Sequence, residues 1–273
     1  MEELLLKLAK QFQNKYFGKY RGFVADNDDP EQIGRLRLTV PAVLGEATSG
    51  WALPALPFGG LADQGFFAVP EVGAQVWVEF EAGNVDQPIW TGTFWQTSGD
   101  PPREAALSPP TTRVFKTPAG HTLQFDDKDG EEKFRLAHPA GTETSVDENG
   151  TVIIADPQGN TLTLNADSNE VVLEDANGNT LTMSSSGTTV EDSNGNKIEM
   201  AASGITVKGN QVVVEGQQVM LGGSGGEPII KGQSFLTLFM THIHTVAPVV
   251  GGPTSPPIPQ GEMSSLSTKV MTS

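Results

Sequence analysis

The clearest pattern in the chain is an alternation of apolar and polar positions between residues 156 and 214. Stretches such as TLTL, TLTM and KIEM place every second side chain on the same face of an extended strand. Turn residues separate the predicted strands every eight to ten positions. The pattern therefore predicts a series of short strands, each with one apolar and one polar face.

The alternation belongs to a repeat whose three clearest copies begin at Asp156, Asp175 and Asp192. The copies read DPQGNTLTL, DANGNTLTM and DSNGNKIEM, and their glycines lie 19 and 17 residues apart. Second turns follow the copies, at residues 168–169, 186–187 and 203–204. Asn-Gly and Ser-Gly pairs supply the positive φ angles that tight turns require. This self-similarity predicts a repeat architecture in which each unit is completed by its neighbours.

The repeat has too little apolar volume to form a core by itself. Residues 156–221 lack aromatic side chains, and a single row of strands leaves its apolar face in water. Several identical chains wound together, with their apolar faces inward, would cover that face. We therefore expect an obligate homotrimer built on an intertwined β-helix (β-prism).

The first 98 residues predict a helix followed by a small barrel. Apolar side chains at helical spacing, Leu5, Leu8 and Phe12, indicate an amphipathic helix over residues 1–18. Residues 19–98 contain all four tryptophans and several strand-like stretches, which predict an OB-fold barrel of about five strands. Most of their aromatic side chains fall at the alternating positions that a barrel core requires.

Three further parts follow the predicted barrel. Residues 99–112 are rich in proline and predict a stiff linker. Residues 113–224 form the repetitive rod, whose first strands are more aromatic than its last. Residues 225–273, with glycine-rich and proline-rich stretches, are assigned to a distal tip. The expected fold class is all-β, with one N-terminal helix.

Composition narrows the classes of function. The chain has no cysteine, which excludes disulfides and thiolate metal sites. Its net charge of −16 argues against a nucleic-acid partner, because phosphate binding needs a basic surface. The acidic repeat predicts a solvated outer surface, with a chain of cation sites as the alternative. Neither a secretory signal nor an apolar run of membrane-spanning length is found, so we expect assembly in the cytoplasm.

Metal-ligand spacing occurs at one pair of histidines, His242 and His244. On a strand, side chains two positions apart point the same way, and three chains would offer six imidazoles. Such a nitrogen cage suits a first-row transition metal, with iron a candidate. The alternative is an ordinary pair packed at the end of the rod. His121 and His138 are isolated, sit in or near turns and are expected to be structural.

The order of these parts resembles the baseplate spike proteins of contractile injection systems, which include phage baseplate assembly protein V and the related part of VgrG. The resemblance covers nearly the whole chain. It rests on the Gly-Asn-Thr-Leu-Thr repeats, on His242-Ile243-His244, and on VPEVG, VWVEF and PIWTG at residues 69–73, 76–80 and 88–92.

The resemblance implies a homotrimeric, structural central spike below the tail tube, driven through the target cell envelope when the sheath contracts. It implies a baseplate hub protein as partner, for which residues 1–22, with their net positive charge, are the expected contact. It further implies a PAAR-type tip protein and one iron ion per trimer held by His242 and His244. The assembled protein would be part of a phage tail, virion or contractile injection particle.

No catalytic motif is found, and the many carboxylates lie in predicted turns facing water rather than in an apolar pocket. We therefore expect no enzymatic activity, and puncture would be mechanical. Two alternatives stay open. A β-helical tailspike depolymerase would need a groove with paired acids and exposed aromatics. A receptor-binding adhesin fibre would place its binding site in the loops after Gly222.

Overall fold

The computed structural model describes residues 12–105, 108–217 and 232–241. The chain divides into two compact units, Met1–Gly209 and Asn210–Ser273. The first unit carries two β-sheets, one of five strands and one of eleven. The predicted all-β class, with an OB-like sheet and a large repetitive sheet, is confirmed.

The five-stranded sheet is a closed barrel. Its strands are β1 (Tyr20–Asp26), β2 (Arg37–Thr39), β3 (Leu53–Pro54), β4 (Gln75–Phe80) and β5 (Pro88–Thr93), and a short helix, α1 (Pro41–Leu44), follows β2. They are hydrogen-bonded in the order β2-β1-β4-β5-β3. Two isolated bridges, Leu36 to Ala52 and Thr39 to Thr48, join β2 to the segment before β3. The ring therefore runs β1-β2-β3-β5-β4, as expected for an OB barrel.

The barrel core is mainly aliphatic, which corrects the sequence prediction. Alternation along β4 turns Val76, Val78 and Phe80 inward and leaves Trp77 half-buried on the other face. The buried cluster consists of Val24, Leu36, Leu38, Val40, Ala52, Val76, Val78, Phe80 and Trp90. Only two aromatic side chains belong to it, because the interior of so narrow a barrel is filled by branched aliphatic side chains. Most of the other aromatics lie on the barrel surface.

The loop between β1 and β2 is organised around a buried carboxylate. Asp29 Oδ1 accepts hydrogen bonds from the Glu31 amide and from Arg35 Nε and Nη2, the last at 2.7 Å. Its Oδ2 accepts from the amides of Ile33 and Arg35. The Arg35 guanidinium also lies over the Trp51 ring, 5.6 Å from its centroid. The Asp29 side chain thus holds the loop between β1 and β2 in one conformation.

The eleven-stranded sheet is an antiparallel meander in which each strand pairs with its neighbours in the chain. Each interior strand is hydrogen-bonded on both sides to strands of the same chain. Its backbone N–H and C=O groups therefore need no second chain as a hydrogen-bond partner. The strands are β6 (Thr112–Lys116), β7 (Thr122–Asp126), β8 (Lys133–Ala137), β9 (Glu143–Val146), β10 (Val152–Ala155), β11 (Thr161–Asn165), β12 (Glu170–Glu174), β13 (Thr180–Ser184), β14 (Gly187–Glu191), β15 (Lys197–Ala201) and β16 (Gly204–Lys208).

Two glycines that begin strands allow a controlled test of the meander. Gly187 and Gly204 have similar positive φ values, 142° and 131°. A Cβ at Gly187 would lie 2.0 Å from the Met200 carbonyl oxygen of the adjacent strand, whereas one at Gly204 meets open space. Both alanine variants carry backbone strain of about 1 kcal/mol or more. The clash should lower the free energy of unfolding of Gly187→Ala by about 1–3 kcal/mol more than that of Gly204→Ala, as measured by urea unfolding. Equal losses would contradict the pairing of β14 with β15.

Candidate interaction surfaces

One face of the rod is apolar along its whole described length. The cross-strand register places Leu162, Leu173, Leu181 and Val190 opposite one another in successive strands. We name this the apolar rod face. Its apolar members are Phe115, Leu123, Phe125, Phe134, Leu136, Val146, Val152, Ile154, Leu162, Leu164, Val171, Leu173, Leu181, Met183, Val190, Ile198, Met200, Ile205 and Val207.

Many of these side chains are exposed to solvent within the single chain. Leu173 is 49% exposed and Ile205 is 72% exposed. A continuous exposed apolar strip of this length exceeds what monomeric proteins normally present and indicates an interaction surface.

The opposite face of the same sheet is mainly polar, although a few apolar side chains such as Val172 and Ile153 also lie on it. The register aligns Thr163, Val172, Thr182 and Thr189 there, and Glu199 follows on the next strand. An ion pair between Lys197 Nζ and Glu199 Oε2, at 2.6 Å, runs along this polar rod face. Hydroxyl and charged groups of this kind are stable in water without a partner. The two faces therefore differ in chemistry, and only the apolar one needs a cover.

The start of the polar rod face is covered by the chain itself. The proline-rich segment forms a short 3₁₀ helix, Arg103–Ala105, next to β6. Glu104 Oε1 accepts a hydrogen bond from Lys116 Nζ at 2.6 Å, and this contact lowers the pKa of Glu104 below its usual value. Lys116 belongs to the polar rod face because it lies opposite Thr122. The linker thus contacts the polar rod face and leaves the apolar rod face exposed.

A row of similar turns runs along one edge of the rod. In each turn the first residue donates its amide to the carbonyl of the fifth, and the fourth is a glycine at positive φ. The five turns cover residues 117–121, 138–142, 156–160, 175–179 and 192–196. The last three begin with Asp and end with Asn. In the fourth turn, Asp175 accepts from the amides of Asn177 and Asn179 and from the Asn179 side chain at 2.7 Å.

Asparagine side chains also connect one turn to the next. Asn160 Oδ1 accepts the amide hydrogen of Ala176 at 3.0 Å, and Asn179 Oδ1 accepts that of Ser193 at 3.3 Å. The corresponding residue of the second and third turns is proline, which has no amide hydrogen to donate. The acidic repeat was predicted as a solvated surface, but its aspartates also hold the turns together. This contribution depends on geometry that the spacing alone does not reveal.

The first two turns meet through a histidine contact instead. The rings of His121 and His138 lie 4.7 Å apart in an edge-to-face arrangement. His138 Nδ1 accepts a hydrogen bond from the Ala140 amide, which fixes the ring within its turn. The expectation that these histidines are isolated is therefore wrong. They lie 17 residues apart in the sequence, so only the antiparallel pairing of β7 with β8 brings them together.

The turn aspartates predict how the rod responds to acid. The side-chain hydrogen bond from Asn179, with backbone amides, lowers the pKa of Asp175 to about 2 from its ordinary 3.8. A lowered pKa contributes stability that is complete above about pH 4 and is lost as the pH falls through about 2. NMR titration of the carboxyl carbon should give a midpoint near 2. Asn179→Ala should raise it, whereas Ser185→Ala, in a turn of the opposite edge, should not. A native midpoint near 4 would contradict the turn geometry.

The predicted metal ligands, His242 and His244, lie outside the described residues. The described residues of the second unit are 210–217 and 232–241. The latter form a helix, α2 (Gly232–Thr241), which ends directly before His242. The helical conformation of this segment was not predicted from the sequence. The sequence contained a signal for a helix, because Phe235 and Phe239 are four positions apart. In the structure their rings stack with centroids 6.1 Å apart. Metal binding by the pair stays a prediction.

Two features are absent from the residues that the structure describes. Among them, no group of three or more His, Cys, Asp or Glu side chains is arranged to hold a metal ion. None of their helices combines the length and apolar character that a membrane span requires.

Two solved structures are similar to parts of this chain. One is the G-box domain of the microcephaly protein CPAP, with 13% identity, 51% of this chain and 94% of that chain covered, and a TM-score of 0.28. The other is the SAS-4 (dCPAP) TCP domain of Drosophila melanogaster in complex with a proline-rich motif of Ana2. It has 14% sequence identity and a TM-score of 0.25, and the match covers 55% of this chain and 98% of that chain. TM-scores this low carry no argument about this chain.

A family comparison bears directly on the barrel. The model of the type VI secretion system/phage-baseplate injector OB domain matches residues 20–95. These residues include all five barrel strands, β1 to β5. The match agrees with the OB topology closed by the two isolated bridges, and it supports a structural role in a baseplate. Residues 20–95 therefore match the injector OB domain of type VI secretion systems and phage baseplates, in agreement with the resemblance to baseplate spike proteins.

Proposed function

We propose that this chain is the structural central spike of a contractile injection system or phage tail, and that it acts as a homotrimer. The observation that carries the proposal is the exposed apolar rod face, which follows an injector OB domain in the same chain. Three such faces turned toward a common axis would remove the strip from water. Burying a Leu or Val side chain contributes about 1.5–3 kcal/mol, so the summed gain is large.

The meander suits a rod that bears load along its length. Neighbouring strands are spaced about 4.8 Å apart, so eleven strands extend on the order of 50 Å. The backbone hydrogen bonds between neighbouring strands point along the rod, so several of them share a compressive load at each strand pair. The hydrogen bonds between successive turns support one edge of the sheet in the same direction. Penetration of the target envelope would then be mechanical, without enzymatic activity.

The barrel is the proposed connection to the tail tube through a hub protein. Residues 1–22 are the proposed contact. Within their described part, the Tyr16 amide donates to the Gly83 carbonyl at 2.9 Å, which holds the segment against the barrel. Phe12 and Phe17 pair with each other and are exposed. At the far end, one iron ion held by His242 and His244 of three chains, and a PAAR-type tip protein, are proposed from the sequence alone.

The first experiment is the native mass by light scattering, with metal content measured on the same sample. A mass three times the chain mass of 28.9 kDa is expected. One metal ion per three chains would support the histidine cage. A folded monomer would refute the homotrimer.

Assembly distinguishes the spike from an adhesin fibre. Particles produced without this chain should lack a complete baseplate, and the chain should co-purify with tube and sheath proteins. Normal particles that only fail to adhere to cells would refute the spike and favour the adhesin.

A further inference from the structure

A groove of about 970 Å³ lies between the barrel and the first strand of the rod. Its walls include Leu56, Phe67, Trp95 and Phe115, all of them exposed. Trp95 is 64% exposed, which is unusual for so large an apolar ring. The only charged side chains in the lining are Glu71 and Lys116. The groove therefore suits an apolar occupant rather than a charged ligand.

The groove continues directly from the apolar rod face. Phe115 belongs to both, because it lies opposite Leu123 in the register and also lines the groove. The ring of Phe66, from the loop between β3 and β4, meets the Phe115 ring edge-to-face at 6.4 Å. A copy of this chain that covers the apolar rod face would therefore also reach the groove.

The same chain carries a projection that matches the groove in chemistry. Residues 58–66 form a loop closed at its base by a hydrogen bond from the Phe66 amide to the Phe58 carbonyl, at 3.0 Å. Leu61 is 75% exposed within this loop, and Phe58 is 63% exposed. Asp63 is the single charged residue of the loop. We name residues 58–66 the collar loop.

We propose that the collar loop of one copy inserts Leu61 and Phe58 into the groove of the next copy around the threefold axis. The inference rests on the proposed homotrimer and extends it to the barrel. Phe66 at the base of the loop lines the groove of its own chain, but Leu61 and Phe58 do not. The projecting side chains and the groove are therefore different surfaces of one chain, as a head-to-tail interface requires, and a threefold rotation closes such an interface into a ring. The collar loop of each copy then fills the groove of one neighbour, and its own groove is filled by the collar loop of the other neighbour. No exposed aromatic groove therefore remains. The interlock would add a smaller contact between neighbouring barrels to the main contact along the rod.

Cysteine cross-linking of the full chain tests this arrangement, because the natural sequence has no cysteine. Thr93 lines the groove and is exposed, so Leu61→Cys combined with Thr93→Cys should form disulfides between copies under mild oxidation. We expect a covalent trimer on non-reducing denaturing gels. The matched control combines Leu61→Cys with Asp86→Cys, an exposed position in the turn between β4 and β5, and should stay monomeric on the gel.

The outcomes separate this inference from the proposed function. Light scattering that shows a trimer, with no cross-link in the Leu61–Thr93 pair, would overturn the interlock and leave the spike intact. Cross-linking by Leu61→Cys alone would also overturn it, because the loops would then meet each other instead of the grooves. A monomeric particle would overturn both proposals. Covalent trimer in the test pair and none in the control supports the interlock.

Discussion

Leu181→Asp is expected to dissociate the rod, so that light scattering gives the 28.9 kDa chain mass instead of three times that mass. Leu181 lies on the apolar rod face, opposite Leu173 and Val190. In the proposed trimer the substitution places three carboxylates near the axis with apolar neighbours. Burying an ionised group without a partner costs several kcal/mol or more, which exceeds the gain from the remaining contacts in that layer.

The adjacent residue provides a matched control for this variant. Thr182 follows Leu181 on β13, but it belongs to the polar rod face, opposite Val172 and Thr189. Thr182→Asp introduces the same charge into the same strand and should leave the trimer mass unchanged. Dissociation of both variants would point to a general loss of strand stability. A trimer in both cases would show that the apolar rod face is not the interface.

The rod could be predicted from the sequence because its pattern is local. Side chains alternate with a period of two, so the TLTL and TLTM stretches determine which face each residue occupies once the register is set. The tight turns set that register, and their Asn-Gly and Ser-Gly pairs are visible in the sequence. The turns predicted at residues 168–169, 186–187 and 203–204 are where the structure reverses the chain.

The contacts between turns could not be predicted in the same way. The bond from the Ala176 amide to Asn160, and the contact of His121 with His138, join residues of successive turns across two strands. Their formation depends on strand lengths and on where the fifth residue of each turn points. The aromatic residues of the barrel were misassigned for a related reason. Alternation shows that two faces exist, but not which face is inside, and Trp77 is on the outer one.

The buried carboxylate of the barrel is a further feature that the sequence does not reveal. Asp29 stands in the run NDDP, where several polar residues are typical of a surface turn. Its side chain is only 3% exposed, and the hydrogen bond from Arg35 is the main cause that lowers its pKa well below the ordinary 3.8. Because that pKa is lowered, its contribution to stability is complete above about pH 4 and declines only as the pH falls below that.

Asp29→Asn should therefore destabilise the barrel strongly at neutral pH. The amide has one acceptor oxygen, and its NH₂ group would face amide or guanidinium donors that then lack a partner. We expect the melting temperature to fall by roughly 10 °C, because removing one partner leaves a nearly buried arginine without its counter-charge. All four tryptophans lie between residues 51 and 95, so their fluorescence reports on this domain.

Asp28→Asn, at the exposed neighbouring position, should change the melting temperature little. The difference between the two variants should shrink below pH 4, and equal melting temperatures at pH 7 would refute the role assigned to Asp29.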